Sequence, residues 1–189
     1  RYIMKVSIGV SNRHIHLCEE DYKLLFGDIE LTKKNDLKQP GQFASNQLVI
    51  IKGTKGEIAN VRVLGPLRGY TQVEISKTDG YKLGVEPPVR TSGDLEGASS
   101  ITIIGPCGEI ERNACILANR HIHVDDKIIK KYHLENIEKV RVKVNTIKGG
   151  IMDYVYIKKT DEAYFEMHID TDDANAFLLK QNDEVEIIL

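Results

Sequence analysis

The sequence has no tryptophan and only three cysteines, Cys18, Cys107 and Cys115. An odd number of thiols without a C-x-x-C pair argues against a disulfide framework and for a reducing compartment. No apolar run approaches the roughly 20 residues of a membrane-spanning helix. No secretory leader is visible, because the chain moves straight into a strand-like pattern; Met4 reads as the natural start, preceded by residues 1–3. Charge of neither sign prevails: 26 basic against 28 acidic side chains leave a formal −2. No global field therefore recruits nucleic acid or an anionic membrane. Also missing are the H-E-x-x-H helix of zinc peptidases, a Walker loop, a Rossmann fingerprint and a G-x-S-x-G elbow. A serine or cysteine nucleophile is not indicated.

What is present is a run of short strands punctuated by glycine and proline. Lys5–Ser11 alternates apolar with small or polar residues, the period of a half-buried strand. Leu48–Ile58 and Ile101–Ile110 each read as strand, glycine turn, strand. Lys139–Val144 and Asp153–Lys159 form a further hairpin, and Asp183–Leu189 closes the chain as a strand. Two short helices are expected, Cys18–Gly27 ending at a glycine cap and Asp172–Lys180. Many short strands with regular turn signals favour barrels or sandwiches, and 189 residues suffice for one large domain or two small ones.

The organising feature is a repeat. "NRHIH" stands at Asn12–His16 and again at Asn119–His123, 107 positions on. That offset far exceeds any solenoid period and suggests two related domains. "QVEISKTDG" (Gln72–Gly80) resembles "EMHIDTDDAN" (Glu166–Asn175) and sets Glu74 opposite His168. On an extended chain residues i and i+2 share a face, so His14 and His16 aim at one point, as do His121 and His123. Neutral imidazole is a common zinc donor, and three protein ligands leave room for water or substrate. The expected sets are His14, His16 and Glu74 for one ion and His121, His123 and His168 for another. One H-x-H alone is a weak signal; two identical five-residue copies are a stronger one. The repeated Asn and Arg read as a brace at the seam between the domains.

The remaining candidates are less specific. His133 reads as a solvated surface residue. Cys18, two residues past His16, lies within reach of the first set but opens a helix-like segment and reads as inert; Cys107 lies in a turn and Cys115 in the core. Arg68, six residues before Glu74, suits a phosphate or carboxylate by its bidentate fork, and equally suits a plain surface position. Lys55 and Arg90 are weaker candidates for anion contacts. The residues alone point to metal-assisted chemistry on a small, phosphorylated substrate without naming the reaction. A zinc hydrolase of small esters or amides and a non-catalytic metal- or ligand-binding double barrel stand as alternatives.

Taken together, "GVSNRHIHL", "LKQPGQFAS", "VRVLGPLR", "TQVEISKTDG", "PPVRTSGDL", "NRHIHV" and "HIDTDDANA" resemble the phosphate propanoyltransferase family, the PduL-type phosphotransacylases. The resemblance runs from about Lys5 to Leu189. It implies reversible conversion of a short-chain acyl-CoA and phosphate into acyl phosphate and CoA, with two zinc ions in one site. His14, His16 and Glu74 match the family's first ligand set, and His121, His123 and His168 its second. Arg68 matches the phosphate-binding arginine. Val10, Ser11, Asn12, Lys55, Arg62 and Asn175 match the CoA contacts. The implied fold is mainly β, with two related barrels capped by short helices and the active site at the inter-barrel interface. One domain would comprise residues 1–12 and 119–189, the other 13–118. The resemblance also implies a homodimer. Microcompartment-targeted members carry an amphipathic N-terminal extension that this sequence does not display. A free cytosolic enzyme is expected, or a microcompartment enzyme if such an extension has been removed.

Overall fold

A computed structural model describes residues 3–189; Arg1 and Tyr2, and with them the expectations for the extreme N-terminus, lie outside the described residues. The first half of the chain runs β1 (Met4–Ser11), β2 (His14–Cys18), α1 (Glu19–Phe26), β3 (Lys33–Asp36), β4 (Phe43–Lys52) and β5 (Glu57–Arg68). It continues with β6 (Gln72–Glu74), α2 (Lys77–Leu83), β7 (Val89–Arg90) and β8 (Ser99–Gly105). The second half runs β9 (Gly108–Ala118), β10 (His121–Val124), α3 (Asp126–Tyr132), β11 (Lys139–Val144) and β12 (Gly150–Lys159), then β13 (Glu166–Asp170), α4 (Thr171–Phe177) and β14 (Glu184–Ile188).

The chain divides into a continuous unit, Arg13–Ala118, and a discontinuous one, the N-terminal stretch ending at Asn12 with Asn119–Leu189. In the discontinuous unit six strands close in the order β1-β13-β10-β12-β11-β14. In the continuous unit β4, β5, β2, β6 and β9 pair in succession, and β8 joins β9 back to β4. The second ring therefore also has six strands, with β3 added at β4 and β7 at β9. Closure leaves no barrel edge to template aggregation. The fold is mainly β, two barrels with short helices.

The two rings match strand for strand. β2 runs parallel to β5 and antiparallel to β6, as β10 does to β12 and β13. β9 runs parallel to β6 and antiparallel to β8, as β1 does to β13 and β14. The match includes a reciprocal exchange. β1 leads into the first "NRHIH" but is built into the barrel of the second; β9 leads into the second but is built into the barrel of the first.

Each ring closes around its own apolar interior. Lys139–Val144 alternates exposed and buried residues along its whole length, the pleat placing every second side chain inside. Ile8, Ile122, Val142, Met152, Val155 and Met167 centre one core, and Ile15, Leu17, Leu25, Ile51, Val63 and Ile103 the other. Each such fully enclosed aliphatic side chain contributes about 1.5–3 kcal/mol. Ile15 and Ile122, the middle letters of the repeated motif, are fully buried. They anchor β2 and β10 to the cores and turn the flanking histidines to the opposite face.

Among the described residues four short helices occur rather than two. α1 ends at Gly27, whose φ of 60° favours glycine. α4 begins and ends slightly earlier than expected, its cap being Leu178 in the left-handed region. α2 carries a Ser76–Asp79 capping box but only 7 residues, one of them Gly80. α3 is held at its start by Asp125 and has no buried residue. α2 lacks the apolar periodicity by which a helix is read from sequence, and α3 offers only Ile128, Ile129 and Tyr132, which pack half-buried against the core.

Candidate metal centres

In β2 the pleat puts His14 and His16 on the face opposite Ile15 and Leu17, which are fully buried. The antiparallel register of β6 sets Glu74 directly across from His14. Glu74 Oε2 lies 2.5 Å from His14 Nε2 and 3.3 Å from His16 Nε2. Burial lowers the His16 pKa to about 4 despite the opposing pull of Glu74, so the ring is neutral near pH 7. Burial tends to raise the Glu74 pKa, but the charge and hydrogen bonds of His14 and His16 outweigh it and hold the carboxyl well below the usual carboxylate range.

The second set repeats the geometry with one change. β10 and β13 are antiparallel, with His121 across from His168 and His123 across from Glu166. The three imidazoles meet edge to face, with centroids 4.6–5.2 Å apart. His121 Nδ1 lies 2.9 Å from the Asn119 carbonyl oxygen. A carbonyl only accepts, so Nδ1 holds the proton and Nε2 keeps the lone pair, the usual outer-shell device for aiming a ligating imidazole. Burial, followed by the charges of His168 and His121, lowers the His123 pKa to about 2.

Both sets fit a metal ion. In each, three ligand atoms lie within 4.8 Å of one another, and three nitrogen or oxygen donors so gathered are the kind of set that zinc takes. His16 Nδ1 and His123 Nδ1 are buried without a hydrogen-bond partner among the described residues, an arrangement that costs about 1–3 kcal/mol each and does not serve stability. Imidazoles gathered beside a carboxylate, with His16 and His123 neutral near pH 7, are the donors that zinc and related divalent ions take.

Arg68 ends β5, in register with Cys18 of β2. Its Nη1 donates to Tyr70 Oη at 2.9 Å and Ser92 Oγ at 3.3 Å, and its Nη2 to Gln42 Oε1 at 3.3 Å. All three acceptors are neutral, so its positive charge is unspent, and that charge contributes to lowering the His16 pKa. Gln72, across from His16 and fully buried, holds the adjoining loop: its Nε2 donates to Ser92 Oγ at 3.0 Å and its Oε1 accepts from Gly93 N at 2.7 Å.

The other candidates are distributed as follows. Arg62 lies across from His14 in β5 and donates to the Ser45 carbonyl at 2.7 Å; Lys55 is exposed in the turn before β5. Val10 N–H donates to Gln181 Oε1 at 2.8 Å. Ser11 lies across from Asp170, while Asn12 and Asn175 are exposed. Arg90 donates to the carbonyls of Glu96 and Val89, both at 2.8 Å. His133 is exposed and caps α3 in the left-handed region. Cys115 is buried and its thiol is pushed up to about 12; Cys107 is exposed. Cys18 Sγ accepts from Thr71 Oγ1 at 3.5 Å and does not enter the first set.

Sequence reasoning missed five polar residues. Gln42 and Ser92 come from loops remote in the chain, and Gln72 lacks metal-ligating chemistry. Near the second set, Tyr164 Oη donates to Glu166 Oε1 at 2.8 Å and lies 2.8 Å from His168 Nε2, while Glu166 Oε1 lies 3.0 Å from the same nitrogen. Glu166 is two residues before His168 on one strand, so the rule applied to H-x-H reaches it as well. Gly9, across from His168 in β1, provides the space: a Cβ there would collide with Glu166 Oε1.

The sequence comparisons decide the family. The family model described as phosphate propanoyltransferase matches residues 7–180. The chain belongs to the phosphate propanoyltransferase family. A phosphate propanoyltransferase of Rhodopseudomonas palustris is 47% identical over 185 residues, covering 97% of this chain and 82% of the relative. One from Thermotoga maritima is 48% identical over 186 residues, covering 97% and 89%. One from Citrobacter freundii is 43% identical over 173 residues, covering 90% and 82%. Membership in the phosphate propanoyltransferases makes the chain an acyltransferase and removes the non-catalytic alternative. Among the described residues no helix is long and apolar enough to cross a membrane.

Proposed function

We propose that this phosphate propanoyltransferase interconverts a short-chain acyl-CoA plus phosphate with acyl phosphate plus CoA, using zinc held by His14, His16 and Glu74 and by His121, His123 and His168. The observation that carries this is Arg68: a half-buried guanidinium with only neutral acceptors, electrostatically coupled to His16. A phosphate is the anion its fork matches.

Arg68 grips two phosphate oxygens, while Gln42, Tyr70 and Ser92 fix the plane of its guanidinium. A third phosphate oxygen is thereby aimed at the thioester carbonyl. The new C–O bond forms as the C–S bond breaks; the electron pair leaves with the CoA sulfur, which takes up the proton that phosphate gives up. Zinc, when bound, supplies Lewis acidity toward the carbonyl oxygen and the departing sulfur. Holding the reactants together supplies much of the acceleration. Val10, Ser11, Asn12, Lys55, Arg62 and Asn175 are the proposed contacts to CoA. The buried, proton-holding Cys115 and the engaged Cys18 support direct transfer without an acyl-enzyme. A homodimer is the proposed assembly.

The test is thiol release from acetyl- and propanoyl-CoA, with and without phosphate, before and after chelation, together with initial-rate patterns. Phosphate-dependent, chelator-sensitive release with sequential kinetics is expected, abolished by His121→Ala. Release without phosphate would instead mark a zinc hydrolase. Ping-pong kinetics with a trapped acyl-enzyme would refute direct transfer.

A further inference from the structure

The repeated arginine has a counterpart that the sequence does not spell out twice in the same way. Arg13 Nη1 donates to Asp79 Oδ1 at 3.1 Å. Arg120 Nε and Nη2 donate to the two oxygens of Asp173, both at 3.1 Å. Glu74, Ser76 and Asp79 each lie 94 positions before His168, Asp170 and Asp173. Both aspartates therefore occupy the same place in the repeat. It is the third residue of the helix that begins just after the strand carrying the third member of each histidine set.

Each aspartate is also tied to the residue that starts that helix. Asp79 N donates to Ser76 Oγ at 3.0 Å, and Ser76 N donates to Asp79 Oδ2 at 3.3 Å. Asp173 N donates to Asp170 Oδ1 at 2.9 Å. Ser76 and Asp170 stand two residues beyond Glu74 and His168. A continuous linkage thus runs from the residue before the first histidine, through arginine and aspartate, to the helix cap beside the third donor. Arg120 adds a bond from Nη1 to the Asp153 carbonyl at 2.9 Å, in the strand parallel to β10. These ion pairs lie within one unit each and brace each set across its strands. The carboxylates are largely buried and the arginines partly so, with side-chain exposures of 10% and 23% against 36% and 29%, an environment where bidentate charge-assisted bonds hold geometry well.

We infer that Arg13 with Asp79, and Arg120 with Asp173, are positioning residues. Each pair locks the H-x-H strand against the strand bearing the third donor and so sets the affinity of its own metal site. The inference rests on the reading of both sets as metal sites. It also accounts for the repeated word being "RHIH" rather than "HIH".

The experiment measures zinc stoichiometry and affinity by competition with a chromophoric chelator, alongside apoprotein thermal unfolding. It uses wild type, Arg13→Gln, Asp79→Asn, Arg120→Gln, Asp173→Asn and the reversed pair Arg13→Asp/Asp79→Arg. Wild type is expected to bind two ions. Each single variant should weaken one of them by roughly tenfold or more, leaving the other unchanged, and the reversed pair should recover part of the loss. The bidentate Arg120 clamp should show the larger effect. Fewer than two ions on wild type would sink the metal reading, and this inference with it. Two ions on wild type and unaltered affinities in the variants, even with lowered melting temperatures, would overturn the inference alone and leave the pairs purely structural.

Discussion

Replacing Arg68 isolates the step on which the proposed reaction depends. Among the described residues its guanidinium makes three bonds to the neutral side chains of Tyr70, Ser92 and Gln42 and no ion pair, so removing it strands no buried carboxylate there. The stability loss should stay near 1 kcal/mol. The catalytic loss should be much larger. Two charge-assisted bonds to phosphate contribute about 1.5 kcal/mol each at the low end, or about 3 kcal/mol, which is roughly two orders of magnitude in kcat/KM for phosphate. Arg68→Lys keeps the charge but loses the planar fork, and should lose roughly one order. The assay is the phosphate dependence of thiol release at saturating acyl-CoA, with chemical unfolding run in parallel. A rise confined to KM for phosphate means Arg68 binds ground state and transition state equally; a fall in kcat as well means its grip tightens as the bond forms. Unchanged kcat/KM for phosphate in Arg68→Ala would refute the assignment of phosphate to this residue.

The histidines predict a pH response in the apoprotein. His16, lowered from 6.5 to about 4, and His123, lowered to about 2, bind fewer protons folded than unfolded below pH 6.5. Their stabilisation is therefore present above 6.5 and is lost as pH falls toward 4, at up to about 1.4 kcal/mol per pH unit for each. Urea unfolding that is flat between pH 6.5 and 4.5 would contradict this. Gly9→Ala should displace the Glu166 carboxylate and His168, since its Cβ would meet both; loss of zinc from the second set at near-normal secondary structure is expected, by metal analysis and circular dichroism. Gln72→Glu should replace the amide that both donates to Ser92 Oγ and accepts from Gly93 N with a group that accepts only, facing Glu74 across one strand face. A raised KM for phosphate and a loss of about 1–3 kcal/mol in stability are expected; wild-type values for both would show that the loop is held by other means.

Much of this was legible because it is periodic. Strict alternation announced strands such as Lys139–Val144, and the duplicated "NRHIH" announced two equivalent strands, since identity at a fixed offset survives without any knowledge of contacts. The alignment of Glu74 with His168 followed from the same repeat, and the fold brings each to its histidine pair. What escaped was whatever the repeat does not carry. Gln42 and Ser92 reach Arg68 from loops 26 and 24 residues away, a closeness created only by barrel closure. Glu166 stands where the first copy has Gln72, and Tyr164 where it has Tyr70, whose hydroxyl accepts from Arg68 instead. α2 and α3 have only 7 residues each and begin at caps, and a cap is a three-residue signal easily lost among turns. The arginines were noticed, but their aspartate partners sit in segments whose letters differ between the copies.

Those differing letters explain how two copies of one motif acquire different chemistry. Opposite the first histidine of each pair stands Glu74 in one copy and His168 in the other; opposite the second stands Gln72 or Glu166. Each set thus faces a single carboxylate, but at positions two residues apart on the same strand face. A buried carboxylate needs compensating partners, and the surroundings follow from where it sits. Glu74, across from His14, is satisfied by both imidazoles of its own set. The neighbouring position is then free for a neutral amide, which spends its donor and acceptor on the loop that presents Ser92 to Arg68. Glu166, across from His123, is satisfied instead by Tyr164 and His168, in the space left by the missing side chain of Gly9. The corresponding residue of the other barrel is Ile116, across from Glu74, so no such space exists there. Moving one carboxylate by one pleat links the first set, through Gln72 and Ser92, to Arg68 and leaves the second bounded by a phenol and a carboxylate.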